Sequence, residues 1–265
     1  MALVIGATRD IMYTNVFDSH CHYDDEWFDE DRASLFEALP KQGVSEIVTN
    51  ATDLKTLQKV LSYCESYPYI YGTAGIHPEC LKEPLPEDYL EQIAKATEHK
   101  KIVAIGEIGL DYHWDTPKDI QMKVVKEQLV LAKDLDMPVI FHDRDAHGDS
   151  MELLKAYKPK GLVHCFSGSV EMLKEVLRLG MYISLGGVVT FKNARIPVEV
   201  AKEVPMDRLL LETDAPYLAP TPMRGKRNDS TLIPLVAEKI AQLRGMTAQE
   251  VLNITRENAK RMYNI

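Results

Sequence analysis

The chain has 265 residues, 45% of them hydrophobic and 27% charged, a composition that argues against a disordered or fibrous protein. The net charge of −9 at pH 7 argues against a protein that coats nucleic acid through a broad basic face, but it is compatible with a metal-containing pocket that acts on phosphates. No apolar run approaches the ~20 residues of a membrane span, and no signal peptide is evident, so we expect a cytoplasmic protein with no membrane contact. The four cysteines form no paired motif, and we therefore expect reduced thiols.

Eight short apolar runs, most of them followed by a segment with helical periodicity, are the predicted strands. Near-continuous apolar runs are typical of parallel strands that are covered on both faces. The runs span residues 16–20, 46–50, 70–76, 102–107, 139–142, 162–164, 182–185 and 209–212. Eight such units in about 250 residues favour an α/β fold of the (β/α)8 TIM barrel type. An open doubly wound sheet is the alternative, but it more often uses fewer strands.

The clearest predicted helix spans residues 117–136, with Pro117 in its first turn. Its predicted inward face consists of Ile120, Val124, Leu131 and Leu135. Two further helices are predicted at 231–243 and 247–263, after the eighth run. We interpret residues 16–265 as a single barrel domain and residues 1–15 as an N-terminal extension and lead-in, in which Met12 is an alternative initiator.

Ionisable residues stand at the ends of the predicted strands, where barrel enzymes carry their catalytic groups. His20 and His22 would point to the same face, because alternate residues of a strand do so, and Cys21 would point away. The other residues at or just beyond strand ends are His77, Glu107, His142, His164 and Asp214. Asp18 is a candidate acceptor for the ring of a metal-binding histidine.

Any one of these residues has an ordinary structural explanation, but their combination predicts a metal site. Burial of so many ionisable groups in one barrel mouth would be very costly without compensation. Four imidazoles and two carboxylates suit Zn²⁺, Mn²⁺ or iron, with Mg²⁺ as a further candidate where oxygen donors and water dominate. Because one tetrahedral ion does not need six ligands, two divalent ions bridged by a carboxylate fit better.

Seven motifs in order show that the chain resembles the TatD family of metal-dependent hydrolases, a family of TatD-type deoxyribonucleases. They are FDSHCH (17–22), GIHPE (75–79), GEIGLDY (106–112), PVIFHDRDA (138–146), HCFSG (164–168), ETDAPYLAP (212–220) and RGKRN (224–228). The resemblance covers roughly residues 16–265 and implies a (β/α)8 barrel with divalent-metal nuclease chemistry. Asp143 departs from the family pattern, in which a small Ser is common, and this departure leaves the fine substrate preference open.

The resemblance also implies roles for the strand-end residues in the hydrolysis of a phosphodiester by a metal-activated water. One ion would be held by His20, His22 and Asp214, and a second by His142 and His164, with Glu107 between them. Asp214 would be the general base. Together with Glu107 and His77 it forms the predicted catalytic set. The substrate would be DNA, attacked at single-stranded or frayed ends.

Four residues are predicted to contact the substrate, and each has a structural alternative. They are His77, Arg224, Tyr112 and Arg144. His77 would bind phosphate or protonate the leaving group, and Arg224 would contact phosphate. Tyr112 could stack on a base or pack the barrel top, and Arg144 could instead support a ligand from behind.

Two other functions remain open from the sequence. The same metal site could hydrolyse an ester or amide, for example as a D-aminoacyl-tRNA deacylase, because a metal-activated water serves all of these bonds. A binding scaffold with structural metals is the non-enzymatic alternative. We expect a monomer, since no long apolar helix predicts obligate assembly.

Overall fold

The computed structural model describes residues 13–265 and shows eight parallel strands in one sheet, in chain order. The strands are β1 (Val16–Cys21), β2 (Val44–Asn50), β3 (Ile70–Ala74), β4 (Ile102–Asp111), β5 (Val139–Arg144), β6 (Gly161–Val163), β7 (Tyr182–Leu185) and β8 (Leu209–Leu211). Each strand pairs with the next, and the sheet curls into a nearly closed barrel. The predicted (β/α)8 barrel is therefore confirmed.

Nine α-helices connect or follow the strands in this part of the chain. They are α1 (Arg32–Ala38), α2 (Leu54–Ser66), α3 (Tyr89–Ala96), α4 (Lys118–Asp134), α5 (His147–Tyr157), α6 (Val170–Arg178), α7 (Arg195–Glu203), α8 (Ile233–Arg244) and α9 (Ala248–Tyr263). Helix α9 packs against both β1 and β8, with Tyr263 stacked on Phe17 at a centroid distance of 6.2 Å. The predicted helices at 231–243 and 247–263 correspond to α8 and α9.

The seam between β1 and β8 closes through a few hydrogen bonds near the C-terminal ends of the two strands. The Asp214 amide donates to the carbonyl of His20 over 3.0 Å, and the His22 amide donates to the carbonyl of Ala215 over 2.7 Å. Cys21 and Ala215 form an isolated parallel bridge. The first and last strands therefore meet at the mouth of the barrel.

Strand β4 is longer than the prediction, because it continues past Glu107 to Asp111. Its ladder with β5 extends to the pair Asp111 and Arg144, so the extra residues remain in the sheet. Strand β3 is shorter and ends at Ala74. The amide of Ile76, beyond that end, donates to the side chain of Gln128 instead of to a neighbouring strand.

The predicted inward face of α4 is confirmed for Val124, which is buried, and for Leu131, which packs against the core, but it is wrong for Ile120 and Leu135, and two glutamines lie on the buried side. The buried residues of α4 are Gln121, Val124, Val125, Gln128, Leu129 and Ala132. Ile120 and Leu135 are 40% and 38% exposed. The buried glutamines satisfy backbone groups of the barrel, which apolar side chains could not do. Pro117 precedes the helix as its N-cap rather than lying in the first turn.

The predicted extension of residues 1–15, including Met12, lies mostly outside the described residues. Thr14 and Asn15 are described, and they contact α9 through Gln249 and Asn253. Within residues 13–265, no helix has the length and apolar character required to cross a membrane.

Candidate metal centre

All six predicted metal ligands lie together at the mouth of the barrel, and we call them the histidine–carboxylate cluster. Its members are His20, His22, Glu107, His142, His164 and Asp214. Glu107 lies at the centre of the cluster and is 2% exposed. The structure thus brings together residues from five strands or strand ends, as the barrel topology requires.

The first half of the cluster surrounds one carboxylate oxygen of Glu107. The Nε2 atoms of His20 and His22 are 3.1 Å apart, and they lie 3.3 and 3.2 Å from Oε2 of Glu107. The same two nitrogens lie 3.6 and 3.5 Å from Oδ1 of Asp214. Four donor atoms from β1, β4 and the end of β8 therefore converge.

The second half surrounds the other oxygen of Glu107. Nδ1 of His142 and Nε2 of His164 are 3.0 Å apart, and each lies 2.8 Å from Oε1 of Glu107. Glu107 therefore presents one oxygen to each pair of imidazoles. This is the arrangement expected of a carboxylate that bridges two ions.

These spacings fit the donor sets of metal ions. Ligand atoms that lie ~2.0–2.1 Å from one ion lie about 2.8–3.4 Å from one another at octahedral or tetrahedral angles. Most of the separations within each half are close to that range. The mixed nitrogen and oxygen donors suit Zn²⁺ or Mn²⁺, and water ligands would also allow Mg²⁺.

The electrostatics of the cluster favour bound positive charge. Burial would raise the pKa of Glu107, but the surrounding imidazoles, His164 foremost, hold it well below its usual range. Burial lowers the pKa of His20. For His22 burial acts in the same direction, yet the neighbouring carboxylates raise its pKa well above the usual value. In the metal-free protein, protons would thus supply part of the charge that ions supply when bound.

His77 lies beside the cluster, as predicted, and its tautomer follows from its hydrogen bonds. Its Nδ1 accepts a hydrogen bond from the amide of Glu79 over 3.2 Å, so the ring proton is on Nε2. Nε2 lies 3.3 Å from Oε1 of Glu107. Burial lowers the pKa of His77. The residue is therefore a neutral donor directed into the mouth.

Asp111 is a functional candidate that the sequence reasoning did not identify. Its Oδ2 lies 2.9 Å from Nε2 of His142, on the side of the ring away from Glu107. Gln121 holds the Asp111 backbone at both its amide and its carbonyl. The period-two pattern of a longer β4 would have placed Asp111 on the same face as Glu107.

We expect Asp111→Asn to weaken metal binding about 10–100-fold, because a carboxylate behind a ligand histidine fixes its ring and raises its basicity. Isothermal titration of the metal-free protein with Zn²⁺ or Mn²⁺ measures the change. Asp145→Asn is the matched control, since Asp145 is a rim carboxylate that is 68% exposed. Equal affinities in the two variants would contradict this role of Asp111.

Glu212 stands behind His164 in a similar position. Its Oε1 lies 3.7 Å from Nδ1 of His164, and its Oε2 accepts a short hydrogen bond from the hydroxyl of Ser184. Oε1 of Glu212 and Nδ1 of His164 are both buried without a hydrogen-bond partner within the described chain. A small movement of either side chain would bring these two atoms within hydrogen-bonding distance.

Asp18 does not contact a ligand ring, so that expectation is wrong. Its carboxylate accepts hydrogen bonds from the amides of His20 and Thr213 over 3.3 and 3.0 Å. It also accepts from the hydroxyls of Thr213 and Ser230 over 2.7 and 2.6 Å. Asp18 thus ties β1 to the chain after β8 and supports His20 through its backbone.

The basic loop after β8 contains one arginine with a structural role and one exposed to solvent. Arg227 forms a two-pronged ion pair with Asp31, with distances of 2.7 and 2.6 Å. The guanidinium of Arg224 lies 4.2 Å from the ring centroid of Phe191 and is exposed. This position at the rim supports Arg224 rather than Arg227 as a phosphate contact.

Tyr112 and Arg144, the other predicted substrate contacts, differ in their accessibility. The Tyr112 hydroxyl donates to Asp149 over 2.5 Å, and the ammonium of Lys118 lies 3.9 Å from its ring centroid. Tyr112 therefore packs the barrel top, and a substrate contact for it stays a prediction. Arg144 is exposed at the end of β5, with its guanidinium 5.7 Å from the ring of Trp114.

Comparison with known proteins relates this site to one family. A family model described as "TatD related DNase" matches residues 17–264. The "Uncharacterized metal-dependent hydrolase YabD" of Bacillus subtilis (strain 168) is 45% identical over 254 residues, which are 94% of this chain and 99% of that protein. The "3'-5' ssDNA/RNA exonuclease TatD" of Pectobacterium parmentieri is 33% identical over 261 residues, 94% of this chain and 100% of that protein. The crystal structure of YjjV, a TatD homolog from Escherichia coli, superposes with a TM-score of 0.89 at 34% identity, covering 95% of this chain and 98% of YjjV.

Proposed function

The chain belongs to the TatD related DNase family of metal-dependent hydrolases, and we propose that it hydrolyses phosphodiester bonds at single-stranded or frayed DNA ends with two divalent ions. The observation that carries the proposal is Glu107, whose two oxygens each contact a different pair of imidazoles. A carboxylate in this position suits a pair of ions that together bind a phosphate. A relative named as a single-strand exonuclease supports DNA as the substrate.

Different residues of the site would have different roles in the hydrolysis. Bound divalent ions would activate a water and neutralise charge that develops on the phosphate oxygens. His20, His22 and Asp214 would hold one ion, and His142 and His164 the other, with Glu107 shared. Asp214 is 19% exposed, so its carboxylate is accessible from the mouth. This accessibility supports Asp214 as the base that would take the proton from the attacking water.

His77 would act on the opposite side of the scissile bond. Its Nε2–H points into the mouth beside Glu107. From there the neutral ring can donate a hydrogen bond to a phosphate oxygen or to the departing 3′ or 5′ oxygen of the sugar, whereas transfer of a proton to that oxygen would require the doubly protonated ring. Arg224, at the rim, would bind a phosphate further along the strand.

End-labelled single-stranded DNA is incubated with purified protein and Mg²⁺ or Mn²⁺. The proposal predicts a ladder of products that differ in length by one nucleotide. Removal of metal by EDTA should abolish the ladder, and added metal should restore it. Denaturing gel electrophoresis with the label at either end shows the products and the direction of attack. Wild-type cleavage that persists after thorough chelation would contradict metal dependence.

An ester or amide hydrolase on the same site is the second candidate, including a deacylase of D-aminoacyl-tRNA. The acidic segment from Asp24 to Asp31 favours a small ester or amide among these substrates, because its charges oppose any long polyanion, tRNA included. Intact DNA with the metal confirmed as bound, together with rapid turnover of D-aminoacyl-tRNA or a chromogenic ester, would establish this second function instead.

A further inference from the structure

Both tryptophans of the chain are exposed at the mouth of the barrel. Trp27, in the loop after β1, is 54% exposed, and Trp114, in the loop after β4, is 45% exposed. Tryptophan is usually well buried in a folded protein, because its large apolar surface is costly to hydrate. Neither exposure is explained by packing within residues 13–265, so these rings are candidates for contact with a ligand.

The surroundings of Trp114 suit a nucleotide. The guanidinium of Arg144 lies 5.7 Å from its ring centroid, and the imidazole of His113 packs edge-on at 5.0 Å. Arg144 forms no ion pair within residues 13–265. The nearby carboxylate of Asp145 lies beside His113 instead, at 3.6 Å. An aromatic face next to an available guanidinium can hold a base and a phosphate together.

Trp114 and Arg144 are also connected to the metal centre by short links. Oδ1 of Asp111 accepts from the amide of His113 over 3.0 Å, while its Oδ2 contacts His142. Arg144 is two residues after His142 on β5, so the two side chains leave the strand on the same face. One carboxylate therefore positions both a metal ligand and the loop that carries Trp114.

Trp27 provides an internal contrast, because its surroundings are acidic. The Oδ1 atom of Asp25 accepts from the amide of Trp27 over 2.8 Å, and its Oδ2 accepts from the Tyr217 hydroxyl over 2.7 Å. Glu26 and Asp29 flank the same turn. The two guanidinium groups next to this turn are already paired, Arg32 with Asp29 and Arg227 with Asp31, so Asp25 and Glu26 leave an excess of negative charge that would repel a phosphate next to the Trp27 ring.

We propose that Trp114 and Arg144 form a nucleotide subsite for single-stranded DNA, in which a base stacks on the indole and the adjoining phosphate pairs with the guanidinium. The subsite rests on the proposed nuclease function and specifies which rim residues hold the strand. Trp27 takes no comparable part. Stacking of one base on an aromatic ring typically changes binding by roughly tenfold or more.

Tryptophan fluorescence tests the subsite directly, because each single-tryptophan variant reports on one ring. The metal-loaded Trp27→Phe variant, which retains only Trp114, is titrated with an oligothymidylate that has phosphorothioate linkages to slow cleavage. We expect saturable quenching in this variant and little in Trp114→Phe, which retains only Trp27. Quenching of Trp27 alone, or of neither ring, would overturn the proposal.

Steady-state kinetics separate a failure of the subsite from a failure of the proposed function. We expect Trp114→Ala to raise KM for single-stranded DNA about tenfold or more with a smaller change in kcat, and Trp27→Ala to leave KM unchanged. Wild-type cleavage of DNA with no KM change in Trp114→Ala would refute the subsite alone. If wild-type protein does not cleave DNA, the nuclease function fails, and the fluorescence titration still decides whether Trp114 binds the strand.

Discussion

Replacement of Glu107 by glutamine is expected to reduce hydrolysis on the order of a thousandfold or more. The amide group removes one anionic oxygen from a point that both pairs of imidazoles share. It also places an N–H donor next to nitrogens that need their lone pairs for a metal. We therefore expect Glu107→Gln to bind fewer ions or to bind them far more weakly.

Metal content by mass spectrometry and turnover of single-stranded DNA measure the two effects together. Glu26→Gln is the matched control, because Glu26 is an exposed carboxylate in the loop after β1, at the same mouth. The control should retain its metal and nearly all of its activity. A Glu107→Gln protein that holds two ions with wild-type affinity would contradict the bridging role.

Asp18→Ala is expected to lower the free energy of unfolding by about 4 kcal/mol, even in metal-free protein. Asp18 is fully buried and accepts four hydrogen bonds from His20, Thr213 and Ser230. Without the carboxylate, these buried donors lose their acceptor, and each unsatisfied group costs ~1–3 kcal/mol before relaxation. Three of these bonds join β1 to the chain after β8, so their loss also loosens the first half of the metal site.

Urea denaturation in the presence of EDTA measures this loss without the contribution of bound metal. Asp53→Ala is the control, because Asp53 caps α2 in a partly exposed position and its removal should cost only ~1 kcal/mol. Equal destabilisation by the two substitutions would show that the buried network contributes little beyond an ordinary helix cap.

The barrel and the convergence of the six candidate ligands could be predicted because both depend on local sequence patterns. Strands covered on both faces have continuous apolar runs, and their ends mark the mouth of the barrel. His20 and His22 share a face through strand alternation alone. Glu107 could be recognised because a carboxylate after a run such as Ile102–Gly106 is otherwise costly to bury.

The remaining features depend on contacts between distant segments, which single-sequence patterns do not show. Gln121 and Gln128 resemble surface residues of an amphipathic helix, yet they are buried because they bind backbone groups of β4 and of the chain after β3. Asp111 has a role only because β4 continues along β5. Arg227 is less available to a substrate than Arg224 because it pairs with Asp31, which lies nearly two hundred residues before it in the sequence.

The closure of the seam has a consequence for synthesis on the ribosome. Asp18 and its partner Thr213 are 195 residues apart in sequence, and Asp214 follows directly. Glu107, His142 and His164 are synthesised in the middle of the chain, whereas His20 and His22 are synthesised early but acquire their neighbour Asp214 only near its end. A chain that ends before Asp214 therefore lacks one residue of the first half of the histidine–carboxylate cluster, so this half is complete only after the last strand has been synthesised.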